Sequence, residues 1–160
     1  MKKTASLNED VYTGDVFQIL LEYEISRCKR YPSPLSLLQI EMIPSALSAE
    51  ALSAAPGIFS SELNAHLRSV DIPSKTGNMF MLLMPNSDKH GAEAVCERLL
   101  SVFKNKFETA DGNSVTFSLH IGSTTHAGGA TLSSEIVLKK AGEALRQSQL
   151  KGANTYILLS

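Results

Sequence analysis

The stretch from Asp71 to Pro85, DIPSKTGNMFMLLMP, constrains this chain more than any other. It reads as two short strands, Ile72 to Lys75 and Asn78 to Met84, joined by a tight turn at Thr76-Gly77. The apolar run Met79 to Met84 is continuous rather than alternating, the pattern of a strand covered on both faces, and Pro85-Asn86 ends it. A hairpin therefore runs through the middle of the domain, between a helix ending near Val70 and another starting near Ser87. A turn held on a rigid strand pair is where a fold most often presents chemistry, and this one carries no carboxylate.

Upstream, residues 1–9 form a polar tail expected to be flexible, and Asp15 can cap a helix with Phe17, Leu20, Leu21, Ile25 and Cys28 at helical spacing. Arg27, Lys29 and Arg30 suit the negative end of that helix, and Pro32 and Pro34 stop it. Leu35 to Ile43 is an apolar strand, with Pro44 expected to exclude further ladder pairing. Ser45 to Ala55 is rich in alanine and serine and weakly helical at best. Pro56-Gly57 separates it from an amphipathic helix carrying Phe59, Leu63, Leu67 and Val70. Beyond the hairpin, Ser87 is a good N-cap for a helix with Ala92, Val95, Cys96, Leu99, Val102 and Phe103 on its stripe. Ser114 to Ile121 reads as a strand, Ser133 or Ser134 opens a last helix closed by Gly152, and Tyr156 to Leu159 is a final strand. The order α, β, α, β-hairpin, α, β, α, β predicts one α/β (α+β) domain, a sheet with an antiparallel pair and helices on its faces.

With 160 residues and 43% hydrophobic content the chain suits a single domain with a substantial core. A net charge of −1, from 15 basic and 16 acidic residues, gives no pull toward a polyanion, so no nucleic-acid partner is expected. No apolar run approaches the roughly 20 residues that span a bilayer. Met1-Lys2-Lys3 leads into polar residues, so a cytoplasmic protein without a membrane segment is expected. Cys28 and Cys96 fit reduced core thiols, and His66, His90, His120 and His126 lack the spacing of a zinc site, so no metal is expected from histidine.

Several segments resemble the GGDEF domains, which make cyclic di-GMP from two GTP molecules. Asp10 to Gly14 is similar to the family's opening D-x-L-T-G, Pro34 to Leu37 to its P-L-S-L, and Val115 to Ser118 to its V-T-V-S. Ala141 to Asn154 keeps the register of A-D-x-A-L-Y-x-A-K-x-x-G-R-N. The resemblance covers residues 10–160 and implies a central, mostly antiparallel five-stranded sheet flanked by helices.

The departures from that pattern bear on activity. Thr76-Gly77-Asn78-Met79-Phe80 stands where the family carries G-G-D/E-E-F, and neither Asn78 nor Met79 offers the anionic oxygen a hard divalent cation prefers. Of the D-x-D-x-F-K that ends the family's first core strand, only Glu41 is a carboxylate here. The guanine-reading segment has no counterpart in Ser45 to Phe59, Gln149 replaces the phosphate-binding lysine, and Ala153 replaces the arginine of G-R-N. Phosphoryl transfer depends on metal and cationic groups to offset charge on the phosphate, so the resemblance implies a degenerate member, not an enzyme, with no cofactor.

One constellation survives. Arg68-Ser69-Val70-Asp71 occupies the place of the family's allosteric R-x-x-D product site, and Arg98 matches that site's second arginine. Arginine forks bind phosphate or the Hoogsteen edge of guanine, and a carboxylate accepts from guanine N1 and N2. The resemblance thus implies a regulatory receptor for cyclic di-GMP at Arg68, Asp71 and Arg98. The plainer account makes Arg68 a cation near a helix end, Asp71 an ordinary strand-entry residue and Arg98 a solvated side chain. The alternatives are a homodimerisation or protein-docking module with no nucleotide, and a working enzyme with unorthodox residues.

Overall fold

A computed structural model describes residues 5–6 and 9–160; the rest of the polar tail expected over 1–9 lies outside the described residues. In chain order the elements are β1 (Ala5–Ser6), β2 (Glu9–Asp10), β3 (Tyr12–Thr13), α1 (Gly14–Arg30), β4 (Leu35–Ala46) and α2 (Ala49–Ala65). There follow β5 (Ile72–Thr76), β6 (Met79–Pro85), α3 (Lys89–Val102), β7 (Phe107–Glu108), β8 (Ser114–His126), α4 (Ser134–Lys151) and β9 (Thr155–Leu159). Among them, β1 and β2 form an antiparallel pair of their own.

The sheet runs β3-β5-β6-β4-β8-β7, with β9 also on β8. It has seven strands where five were expected: the expected β4, β5, β6, β8 and β9 are joined by the two-residue strands β3 and β7. Pairings are antiparallel except β3 with β5 and β8 with β9. The hairpin joins Ile72–Thr76 to Met79–Pro85, with Thr76 opposite Met79. Gly77, at φ 62°, holds the first of the two central turn positions, the place of glycine in a type II′ turn.

β4 lies between β6 and β8, and its alternating side chains serve two cores. Leu38, Ile40 and Met42 pack with Phe59 and Leu63 of α2 and with Val95, Cys96 and Leu99 of α3. Leu35 and Leu37 pack on the other face with Phe17, Leu21, Ile25 and Cys28 of α1 and Val137 and Ala141 of α4. Cys28 and Cys96 are buried free thiols on opposite faces of the sheet, and burial pushes the Cys96 thiol up to about 12. Phe59 stacks on Phe103 with ring centroids 4.2 Å apart, at the centre of an aromatic group that includes Phe80 and Phe117. α4 meets β8 at backbone distance: a Cβ on Gly122 would lie 2.1 Å from the Leu145 nitrogen.

Several boundaries differ from the sequence reading, and strand β8, expected to end at Ile121, runs to His126. Strand β4 continues past Pro44, which sits opposite Phe117 in register. Met42 N–H donates to Asn78 O at 2.9 Å, so the alternation of the strand turns the Pro44 nitrogen to that same side, where β6 has already ended and no ladder bond is lost. Helix α2 begins at Ala49 and runs through Pro56-Gly57, because Ala51, Ala55, Phe59 and Leu63 make one unbroken buried stripe across the proline. It ends at Ala65, which leaves Val70 off the stripe and exposed. Thr13, not Asp15, caps α1, accepting from Val16 N–H. Asp88, not Ser87, caps α3: Ser87 is buried and its carbonyl accepts a 2.9 Å bond from Ser36 Oγ.

Candidate functional site

After α2 the chain turns through Arg68–Asp71, where Asp71 N–H donates to Arg68 O at 3.0 Å. Asp71 is 2% exposed and its carboxylate is filled by one residue. Oδ2 accepts from Arg68 N–H at 2.8 Å, and Oδ1 accepts from Arg68 Nη2 at 2.8 Å and Nε at 3.2 Å. The same Nη2 donates to Pro85 O at 2.9 Å, so the guanidinium fastens the turn to the end of β6. Arg98, on α3, donates from Nη2 to His66 O at 3.2 Å, at the C-terminal cap of α2.

These three residues line one open cleft of about 400 Å³ beside the hairpin. Met84 contributes apolar surface, and Asn86, Asp88, Gly91 and Ala94 complete the side formed by the β6–α3 turn and α3. Asn86 has φ 54°, a left-handed conformation that asparagine tolerates and that reverses the chain here. Arg68, Asp71 and Arg98, singled out from the family resemblance, line the same cleft. The sequence reading missed Asp88, whose neighbour Ser87 is an equally good capping residue by type.

The opposite end of the sheet holds the other residues singled out from sequence. Glu41 is opposite Met79 across β4 and β6, next to the Gly77-Asn78 turn, and Gln149 of α4 donates from Nε2 to Glu41 Oε1 at 3.1 Å. Ala153 precedes Asn154, at φ 57°, which accepts at Oδ1 from Leu119 N–H at 3.1 Å and donates from its own N–H to Leu119 O. Among the described residues, no three His, Cys, Asp or Glu side chains gather as metal ligands.

Ser45 to Ala55, expected to be at most weakly helical, is the end of β4 followed by the first two turns of α2. Ser48 caps α2 by accepting from Ala51 N–H at 3.0 Å, and its hydroxyl donates to Asp111 Oδ2 at 2.6 Å. Asp111 also accepts from Thr109 Oγ1 and from Asn113 Nδ2 and N–H. The bond from Ser48, with those from Thr109 and Asn113, holds the Asp111 carboxyl well below the usual carboxylate range.

Over residues 58–155 the sequence matches the family described as diguanylate cyclase, GGDEF domain. No curated protein matches it. Among solved structures, the GGDEF domain of YfiN (TpbB) from Pseudomonas aeruginosa superposes with a TM-score of 0.83 at 16% identity, covering 98% of this chain and 95% of that one. The FimX GGDEF domain from the same organism gives 0.81 at 18% identity, with 96% and 98% covered. The GGDEF domain of DgcB from Caulobacter crescentus, solved with cyclic di-GMP, gives 0.80 at 11% identity, with 99% and 95% covered. Among the described residues no helix is long and apolar enough to cross a membrane.

Proposed function

This chain belongs to the GGDEF domain family, and from that premise we propose that it is a non-catalytic regulatory member that binds cyclic di-GMP in the cleft formed by Arg68, Asp71 and Arg98. The observation that carries the reading is the contrast between the two ends of the sheet. At the cleft, two guanidinium groups converge on one open volume. Arg68 keeps Nη1 without a hydrogen-bond partner among the described residues, and its side chain is 47% exposed. Such forks suit the phosphates and the O6/N7 edges of a guanine dinucleotide. DgcB, a structural relative, was solved with that ligand.

At the hairpin turn the donors do not fit the divalent metal that the family's chemistry employs. Asn78 and Met79 bring no anionic oxygen, and the carboxylate of Glu41 is bonded to the neutral amide of Gln149. No cation stands at Gln149 or Ala153 to meet a triphosphate. The deciding experiment is titration calorimetry with cyclic di-GMP at low salt, beside thermal-shift scans with cyclic di-GMP, GTP and GTP with magnesium. Saturable heat and a raised midpoint with cyclic di-GMP alone support the reading. No heat and no shift at high micromolar ligand overturn it.

A second reading, docking of a protein partner or of a second copy, is favoured by Ile19 and Tyr23. They lie one turn apart on the solvent side of α1, both more than half exposed. A monomer at high micromolar concentration, with and without cyclic di-GMP, would count against self-association.

A further inference from the structure

We infer that the open edge of β9 is a docking strand for an extended segment of a partner protein that carries lysine or arginine at alternate positions. This edge lies apart from the cleft: Gly91, Ala94 and Arg98 of α3 face the cleft, and Glu93 and Glu97, on the other flank of the same helix, face β9.

A strand edge offers backbone N–H and C=O groups to any chain that can extend beside it, and folds blunt such edges with charge, proline, a bulge or brevity. The edge strands β3 and β7 are two residues long, and β7 ends on Glu108. By contrast β9, Thr155-Tyr156-Ile157-Leu158-Leu159, is half-buried along its five residues, carries no charge and no proline, and pairs only with β8 among the described residues. The sheet fixes which of its groups are free. Met42 N–H turns to β6, so by alternation Glu41 and His120 bond each other, and Leu119, Ile121 and Ser123 turn their backbone toward β9. Leu119 O accordingly accepts from Asn154 N–H at 2.8 Å. With Ile121 beside Tyr156 in the parallel register, Thr155, Ile157 and Leu159 answer that row, and Tyr156 and Leu158 turn N–H and C=O outward. No turn, loop or cap bond takes them among the described residues.

The charge beside this edge sets the kind of partner. Tyr156 and Leu158 pack on the core shared by α2 and α3. Burial, then the carboxylates of Glu97 and Glu93, hold the Tyr156 hydroxyl above its usual range, so both acids stand beside the strand. They lie one helical turn apart, and neither forms an ion pair among the described residues. A strand laid against β9 sends every second side chain to that face, beneath the two carboxylates. Lysine or arginine at those positions meets Glu93 and Glu97 with its charged end and covers Tyr156 and Leu158 with its stem. A second copy does not fit. Antiparallel self-pairing of β9 about a two-fold axis normal to the sheet would put the α3 helices of both copies on one face and bring their carboxylates to one seam.

The probe is a fluorescein-labelled heptapeptide of alternating lysine and valine, followed by anisotropy at low salt, with amide hydrogen exchange read residue by residue by NMR. Saturable binding is expected, with exchange slowed at Tyr156 and Leu158. A glutamate–valine counterpart is expected to bind at least about tenfold more weakly, and so is the lysine peptide N-methylated throughout, which keeps its charge and has no backbone donor. The N-methylated probe alters only the peptide, so its outcome does not depend on how a variant folds. Glu93→Gln combined with Glu97→Gln is expected to lose at least about fivefold for the lysine peptide at an unchanged melting midpoint. No saturable binding at high micromolar peptide, equal binding of the N-methylated peptide, or slowed exchange at other amides in place of Tyr156 and Leu158 would overturn the docking strand. Equal binding of the lysine and glutamate peptides would overturn the basic partner. A dimer in sedimentation, with Tyr156 and Leu158 protected before any peptide is added, would assign the edge to a second copy and overturn it too.

Discussion

Gln149 and Glu41 meet at 3.1 Å where α4 crosses β4, so the Glu41 carboxylate beside the hairpin turn is bonded to a neutral amide. Both residues stand where a nucleotide-processing relative would place opposite charges, a metal-binding carboxylate and a phosphate-binding lysine. Here the pair is complete without either ligand.

Incubation with GTP and magnesium or manganese is accordingly expected to give no cyclic di-GMP above a protein-free blank, read by mass spectrometry. Gln149→Lys, which restores one cation and no metal ligand, is expected to stay silent too. Turnover by either protein, once freed of contaminating cyclase, would refute the non-catalytic reading.

The two arginines are expected to separate in their consequences. Arg98→Ala removes one exposed bond to His66 O and should weaken cyclic di-GMP at least about tenfold without moving the melting midpoint. Arg68→Ala is expected to do more than cost binding: Arg68 is bonded to Asp71 and Pro85, so truncation strips a buried carboxylate of its guanidinium, and a stability loss of about 1–3 kcal/mol should accompany the loss of binding. Arg68→Lys should recover little, since a point charge cannot span both acceptors. Calorimetry and chemical denaturation on the same preparations decide this.

Asp111 links stability to pH. Its folded carboxyl titrates below the unfolded value, so its contribution is fully present above the unfolded range near pH 3.8 and is lost as the pH falls toward the folded value. Asp111→Asn should therefore be less stable than wild type at pH 7, with the gap closing as acid titrates the wild type below about pH 4. A gap that stays constant down to pH 2 in urea denaturation would mean that the charge on Asp111 contributes nothing.

Pro56 lies inside α2 and cannot donate to the carbonyl of Leu52, on a partly exposed side of the helix. Pro56→Ala supplies that donor and a better helix former, and is expected to raise stability by about 1–2 kcal/mol after the gain in unfolded-state freedom is subtracted. Gly122→Ala should do the reverse and severely, because the new methyl would meet Leu145 N at 2.1 Å and Ala141 O at 2.5 Å, both backbone atoms that cannot step aside.

The hairpin was legible because Gly77 and the run Met79 to Met84 are local signals that point to one structure. Helix α2 was not. Pro56 is a strong local stop, and only burial of Ala51 and Ala55 against the sheet carries the helix across it. The family resemblance singled out Arg68, Asp71 and Arg98, which line one cleft, yet nothing in the motif revealed that Asp71 spends both oxygens on Arg68, since that depends on the turn the intervening residues adopt. The choice between Ser87 and Asp88 as helix cap rests on a bond to Ser36, fifty-one residues away, which no window of sequence contains.

The position of β4 in the sheet bears on how the protein is made. Both neighbours of this strand lie downstream, β6 at Met79–Pro85 and β8 at Ser114–His126, and its first residue, Leu35, is opposite His126. A growing chain can close the hairpin as soon as Pro85 is free, but the LSLLQIEMI strand keeps one whole edge open until the last residues of β8 have left the ribosome. During that interval this buried-to-be strand is exposed to other chains, and its pairing with β8 is completed late.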